Sequence, residues 1–234
     1  MNVILASTST IHGSEYLTYL KEPLQELFKE IDEILFIPFA RPGGISHKEY
    51  AEKAKKGLSF LNKKVAGLHE KPDFKKAISE AKAVFTGGGN TFLLVHDLYK
   101  YDLLDTLKSK ITSGMPYLGT SAGSNICGIS MKTTNDMPII YPPSFETLGI
   151  VSFNINPHYL DPDPTSTHKG ETRETRIKEF LNLNKTPVVG LREGSWLAIG
   201  KEDILLKGDL QARIFEAGKE VYEIDPESSL KNLH

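Results

Sequence analysis

The chain has 234 residues, 39% of them hydrophobic and 25% charged, and its 28 Lys+Arg against 30 Asp+Glu leave a formal net charge of −2. A chain this long buries a full core, which excludes a disordered or fibrous protein and favours one large domain over residues 1–234. The balanced charge, with no like-signed run longer than clusters such as Lys53 to Lys56, excludes a phosphate-backbone binder, so nucleic acid is not an expected partner.

The single cysteine, Cys127, cannot form an internal disulfide, and no Cys/His spacing resembles a zinc site. The N-terminus lacks a basic region followed by an apolar stretch, and no window approaches the roughly 20 apolar residues of a membrane span. The expectation is a cytoplasmic protein with no membrane association, metal or other cofactor.

Apolar runs alternate with amphipathic stretches from the first residue, the one-dimensional pattern of a parallel sheet with crossover helices. Asn2–Ala6 reads as a buried strand. Leu17, Leu20, Leu24, Leu27, Phe28 and Ile31 recur at helical spacing, with Pro23 expected to kink or divide that helix. Strand Glu33–Phe39, a loop over 40–44, helix His47–Leu61, strand Val65–Leu68 and a helix Pro72–Ala81 opened by its proline follow. Ala83–Thr86 reads as a strand, 87–90 as a turn, Thr91–Tyr99 and Asp102–Ile111 as helices, and Pro116–Gly119 as a strand with a helix just after Ser121. Asn125–Pro157 is loop-rich with one strand, Ile150–Asn154. Glu171–Leu181 reads as a helix and Pro187–Leu191 as a strand. Ser195–Ile199, Ile204–Leu206, Gln211–Phe215 and Val221–Ile224 read as an antiparallel extension of the sheet. No linker, repeat or low-complexity tract interrupts the chain.

Gly119-Thr120-Ser121-Ala122-Gly123 is a G-x-S-x-G between a strand and a helix. Such an elbow exposes a serine hydroxyl at the carboxyl end of a sheet, with the next N–H, that of Ala122, placed for an oxyanion. Gly87-Gly88-Gly89-Asn90-Thr91 has the same strand-to-helix setting. It is neither a Walker loop nor a dinucleotide fingerprint, and Gly89 N–H is a candidate second oxyanion donor. A serine nucleophile needs a base. His12, His47, His69 and His96 fall in or beside predicted helices or surface turns, and His234 ends the chain. His158 and His168 lie in the loop region, and His158 is favoured because it follows a strand end. Asp136 and Glu193 are both candidates for the acid that orients the base, and periodicity does not separate them. Lys169 to Arg176 opens a charged helix whose Arg173 or Arg176 is suited to grip a carboxylate.

The blocks Gly87–Phe92, Gly119–Asn125, Thr133–Pro138, Asn154–His158 and His168–Glu174 together, in this order, closely resemble the peptidase E family of α-aspartyl dipeptidases. The resemblance runs from Ile37 to Gly218. It implies an α/β fold like that of the class I glutamine amidotransferases (flavodoxin-like), a mostly parallel sheet with helices on both faces and an antiparallel C-terminal extension, with serine replacing their cysteine nucleophile. It implies metal-free hydrolysis of small dipeptides that begin with aspartate. Ser121 matches the nucleophile and His158 the base, Asp136 or Glu193 the third member, and Arg173, assisted by Asn90, the receptor of the aspartyl carboxylate. Pro162 and Pro164 make the loop after His158 individual to this chain. Two rival readings are a β-aspartyl peptidase of the cyanophycinase type and a catalytically silent protein that binds acidic ligands. The oligomeric state, monomer or homodimer, is not written in the sequence.

Overall fold

A strand buried on both faces shows itself by sending alternate side chains into two different cores, and the first strand, β1 (Val3–Ala6), does this. Val3 and Leu5 join one hydrophobic cluster; Ile4 and Ala6 join the other. The computed structural model describes residues 1–163, 165, 167 and 169–234. His168 and Pro164 lie outside the described residues. A seven-stranded sheet is built in the order β3 (Lys64–Gly67), β2 (Glu33–Ile37), β4 (Val84–Thr86), β5 (Tyr117–Thr120), β1, β8 (Trp196–Ile199) and β9 (Ile204–Lys207). The first five of these strands run parallel, and β8 and β9 are antiparallel to their neighbours.

Helices cover both faces. Leu24 and Leu27 of α1 (Lys21–Leu27) and Tyr50, Ala51 and Ala54 of α2 (His47–Gly57) pack with Ile4, Ile34 and Phe36. On the opposite face, α3 (Phe74–Glu80), α4 (Thr91–Lys100) and α5 (Leu104–Thr112) bury Ile78, Leu94, Leu98, Leu107 and Ile111 against Val3, Leu35 and Val84.

Three local expectations are corrected. Pro23 does not kink a helix, because it is the third residue of α1, where the first turn needs no N–H. Pro72 does not open α3. Asp73 caps it instead, its Oδ1 accepting from Lys76 N at 2.9 Å. The apolar run from Ile150 is not a strand: Ile150 and Val151 both donate their N–H to Cys127 O, at 2.9 and 3.1 Å, so their amides close a turn and the strand begins at Asn154.

The C-terminal strands also divide in a way periodicity does not foretell. β8 and β9 extend the large sheet, while β10 (Ala212–Phe215) and β11 (Tyr222–Ile224) join β7 (Val188–Leu191) and β6 (Asn154–Pro157) in a second, four-stranded sheet ordered β11-β10-β7-β6. One apolar cluster runs through both sheets, containing Leu5 and Tyr117 with Ile155, Val189 and Ile214. In the second sheet β6 and β7 are parallel, with Pro157 opposite Leu191. That register brings the residues after the two strand ends together.

Candidate active site

Between β5 and the single turn α6 (Ala122–Asn125), Ser121 holds φ 53° and ψ −113°, a region an L-residue occupies only when its surroundings impose it. Its N–H donates to Ala6 O at 3.1 Å, while Ser124 Oγ donates to the same carbonyl at 2.7 Å. The flanking glycines are steric necessities. A Cβ on Gly119 would lie 2.4 Å from Gly123 O, and one on Gly123 would lie 2.2 Å from Thr86 O.

The turn after β4 rests on this elbow. A Cβ on Gly88 would come within 2.8 Å of Ser121 Cβ, and Gly88 O accepts from Tyr50 OH at 2.9 Å. Gly89 has φ 144°, and a Cβ there would lie 2.1 Å from Ala40 O, which accepts Asn90 N–H at 2.7 Å. Among the described residues, neither Gly89 N–H nor Ala122 N–H donates to a protein acceptor.

His158 follows β6 and meets Ser121. Ser121 Oγ–H donates to His158 Nε2 at 2.9 Å, and His158 Nδ1–H donates to Glu193 Oε1 at 2.5 Å. This tautomer lets every contact pair a donor with an acceptor. Glu193 stands two residues past β7, so the parallel register of β6 and β7 makes neighbours of groups 35 positions apart. Buried Ser7, just past β1, braces both strand ends: its Oγ accepts His158 N–H at 2.8 Å and donates to Leu191 O at 2.7 Å.

Asp136 takes a different place. Its Oδ2 accepts from Thr91 N at 2.7 Å and from Thr134 Oγ at 3.0 Å, which ties the loop to the first residue of α4. Asn90 also serves that helix. Its Oδ1 accepts Leu93 N–H at 3.0 Å and its Nδ2 donates to Met137 O at 2.8 Å, so both ends of the amide are engaged. A ladder of amides, buried at Asn125 and Asn156 and exposed at Asn135, holds the lip of the site: Asn125 donates to Ile155 O, Asn156 to Thr133 O and to Asn135, and Asn135 to Pro157 O.

A cavity of about 240 Å³ opens between Ser121, His158, Asn135, Asp136 and Arg173. This is below the roughly 300–1,000 Å³ of sites that take drug-sized ligands. Arg173 is the first residue of α7 (Arg173–Leu183), capped by Thr172 rather than begun at Glu171. Its Nη1 is buried and reaches no acceptor among the described residues. Burial draws its pKa below the usual arginine value, while the nearby Glu193 carboxylate acts the other way. A desolvated guanidinium N–H without an acceptor is costly, and a carboxylate is the group that matches it. Arg176, the other candidate for that grip, is exposed and lies 3.9 Å from Glu171. Of the remaining histidines, His96 contacts Asp97 and His47 meets His69 edge-on, all apart from the cavity. Among the described residues no three or more His, Cys, Asp or Glu side chains are placed to hold a metal, and no helix is long and apolar enough to cross a membrane.

Sequence reasoning missed Ser7. Its only local signal is a small polar residue ending a buried strand, and its partners are 151 and 184 positions away.

Residues 3–207 match the family model described as Peptidase family S51. A Streptomyces coelicolor protein named "Peptidase E" is 46% identical over 233 residues, spanning all of this chain and 95% of its own length. A Drosophila melanogaster protein named "Probable alpha-aspartyl dipeptidase" is 44% identical over 235 residues, 99% of this chain and 97% of its own. The crystal structure of a peptidase from an acI-B1 Actinobacterium superposes with a TM-score of 0.70 at 19% identity, covering 98% of this chain and 96% of that one, a likeness of fold.

Proposed function

The chain belongs to peptidase family S51, and on that premise we propose that it is a serine-type dipeptidase that cleaves dipeptides with an N-terminal aspartate. The observation that carries this is the unbroken relay Ser121–His158–Glu193, at 2.9 and 2.5 Å, in one cavity with the half-buried Arg173, whose buried Nη1 is short of an acceptor. His158 Nε2 takes the Ser121 proton as Oγ bonds to the aspartyl carbonyl carbon, and Glu193 supports the imidazolium. The N–H groups of Gly89 and Ala122 receive the oxyanion, each such donor being worth about 10²–10³ in rate. His158 then protonates the leaving amine and the C–N bond breaks, leaving an ester on Ser121. Water repeats the sequence, releases aspartate and returns the proton to Ser121.

Arg173 pairs with the aspartyl side-chain carboxylate. Asn90, with its amide engaged at both ends, shapes that wall through α4 and the loop at Met137. Asp136 has the same kind of role at Thr91. The buried lone Cys127 suits a cytoplasmic setting.

The test is kcat/KM on matched Asp-X, Asn-X and β-linked Asp-X dipeptides. Leaving Arg173 unpaired costs about 2–3 kcal/mol, so Asn-X is cleaved roughly 30–150-fold less well than Asp-X. Ser121→Ala binds but does not turn over. Equal cleavage of Asp-X and Asn-X removes Arg173 from its role, preference for the β-linked peptide makes the enzyme a β-aspartyl peptidase, and binding without turnover by wild type and mutant alike makes it a sensor.

A further inference from the structure

An arginine has five N–H donors in a fixed plane, and a site that uses all five fixes its guanidinium completely. Arg192 does so. Its Nε and Nη2 grip both carboxylate oxygens of Asp161, at 2.8 and 2.6 Å. Its Nη1 and Nη2 grip both oxygens of Glu223, each at 2.9 Å, and Nη1 also donates to Gln211 O at 2.6 Å. The guanidinium lies 5.6 Å from the centre of the Tyr159 ring and is 16% exposed.

The anchored groups sit at informative places. Arg192 immediately precedes Glu193, and Asp161 stands three residues after His158. The pair Arg192–Asp161 therefore ties together the two segments whose side chains meet at 2.5 Å, supplemented by Tyr159 N–H donating to Leu191 O at 3.1 Å. The chain of charges continues. Glu223 Oε1 also accepts from Arg213 Nη1 at 2.8 Å, and Arg213 holds Glu174 Oε2 through Nε and Nη2 at 3.1 and 2.8 Å. Glu174 adjoins Arg173 in the first turn of α7.

We propose that Arg192 is a positioning residue for the His158–Glu193 pair, and that the ion chain Asp161–Arg192–Glu223–Arg213–Glu174 sets the general base and the Arg173 carboxylate clamp in one frame. Arg192 touches neither Ser121 nor the cavity and acts only through the segments it holds. A lysine there keeps the charge but has three donors and no fork, so it cannot hold two carboxylates bidentately. The two arms of the chain have different kinetic consequences. Loosening the arm at Arg192 and Asp161 misplaces the imidazole against the hydroxyl and lowers kcat. Loosening the arm at Arg213 and Glu174 lets α7 turn at its N-terminus, weakens the grip on the substrate carboxylate and raises KM. This inference rests on the acyl-transfer reading of Ser121 and His158.

The test compares Arg192→Lys, Arg192→Ala, Asp161→Asn and Glu174→Gln with wild type by steady-state kinetics on an Asp-X dipeptide, thermal unfolding, and the downfield proton NMR resonance of His158 Nδ1–H in the resting protein. Arg192→Lys is expected to lose about 10–100-fold in kcat with little change in KM, and to broaden or shift that resonance. Glu174→Gln is expected to raise KM several-fold while kcat and the resonance hold. Where Arg192→Ala does not fold, Asp161→Asn, which removes charge from a half-exposed side chain, carries the same kcat and resonance expectation in milder form. Arg192→Lys or Asp161→Asn with unaltered kcat and an unaltered resonance overturns the proposal. So does a loss of activity in Arg192→Lys that follows thermal unfolding alone and vanishes on cooling. A wild type that cleaves no Asp-X dipeptide refutes the dipeptidase reading instead, and the resonance, which needs no substrate, still decides the positioning role.

Discussion

Glu193 and Asp136 carry the same chemistry, yet they hold different partners, His158 Nδ1 and Thr91 N, which makes their substitution separable. Glu193 Oε1 accepts His158 Nδ1–H at 2.5 Å, with 46% of the Glu193 side chain exposed. Glu193→Gln keeps an oxygen for that N–H and so keeps the imidazole tautomer, but removes the charge that stabilises the imidazolium. A hydrogen bond to a charged group exceeds a neutral one by about 1–2 kcal/mol, and exposure screens this toward the lower end. The expected fall in kcat is roughly 5–10-fold, with KM and unfolding temperature near wild type. Glu193→Ala leaves the ring without a partner, and a fall of about 100-fold follows from its misplacement. Asp136→Ala removes the acceptor of Thr91 N–H at the start of α4 and costs about 1–2 kcal/mol of stability, roughly 2–8 °C in a chain of this size. Asp136→Asn retains an acceptor and keeps kcat near the wild-type value. The assay is kcat and KM on an Asp-X dipeptide beside a thermal melt for all four variants. A larger fall in kcat for Asp136→Asn than for Glu193→Gln, with both proteins folded, would refute this division of labour.

Ser7→Ala leaves His158 N–H without its buried partner and Leu191 O with Tyr159 N–H alone, so a loss of about 1–3 kcal/mol of stability is expected in chemical denaturation, with kcat falling as the His158 segment loosens. A variant as stable and active as wild type would deny Ser7 its bracing role. Cys127 is fully buried and burial pushes its thiol far above the usual range, so iodoacetamide should leave the native protein unlabelled and react once denaturant is added. Rapid labelling without denaturant would contradict that environment. Glu223 is held below the ordinary carboxylate range, first by its hydrogen bonds to Arg192 and then by the one to Arg213. A depressed native pKa stabilises above the unfolded value of about 4.3 and ceases to do so as pH falls through the native one. The difference in melting temperature between wild type and Glu223→Gln should thus be constant near neutrality and shrink on acidification below about pH 4. A difference that grows in acid would reverse the assigned sign.

The parallel half of the fold was legible because its signals are local. Apolar strands of three to five residues, helical spacing in α2, α4 and α5, and the strand-to-helix glycines around Ser121 each lie within a short window. The run from Ile150 misled because an apolar segment reads alike whether its amides pair in a sheet or close a turn on Cys127 O. Ser121 and His158, which meet at 2.9 Å, were singled out from an elbow motif and a strand end. The choice between Asp136 and Glu193 was hidden, since both follow loop-like context and only the parallel pairing of β6 with β7 brings one of them to the imidazole. Arg192 lay in plain view beside Glu193, but its five partners come from 161, 211 and 223, a convergence no local window contains.

Ser121 and His158 share a backbone peculiarity that bears on how they are brought together. Both have positive φ, 53° and 54°, which costs on the order of 1–3 kcal/mol apiece. Both main-chain N–H groups are tied to consecutive residues at the end of β1, Ser121 to Ala6 O and His158 to Ser7 Oγ. β1 lies between β5 and β8 and is buried on both faces, so it cannot shift without disrupting the large sheet. The separation of hydroxyl and imidazole is thereby braced from behind, by Ala6 O and the Ser7 hydroxyl, before any substrate arrives. On the proposed mechanism, orientation fixed in this way is the source of the large effective concentration of Ser121 and its base His158. It also means that removing the hydroxyl alone, as in Ser121→Ala, leaves His158 held by the same strand end, so the loss in that variant reports the missing nucleophile rather than a disturbed site.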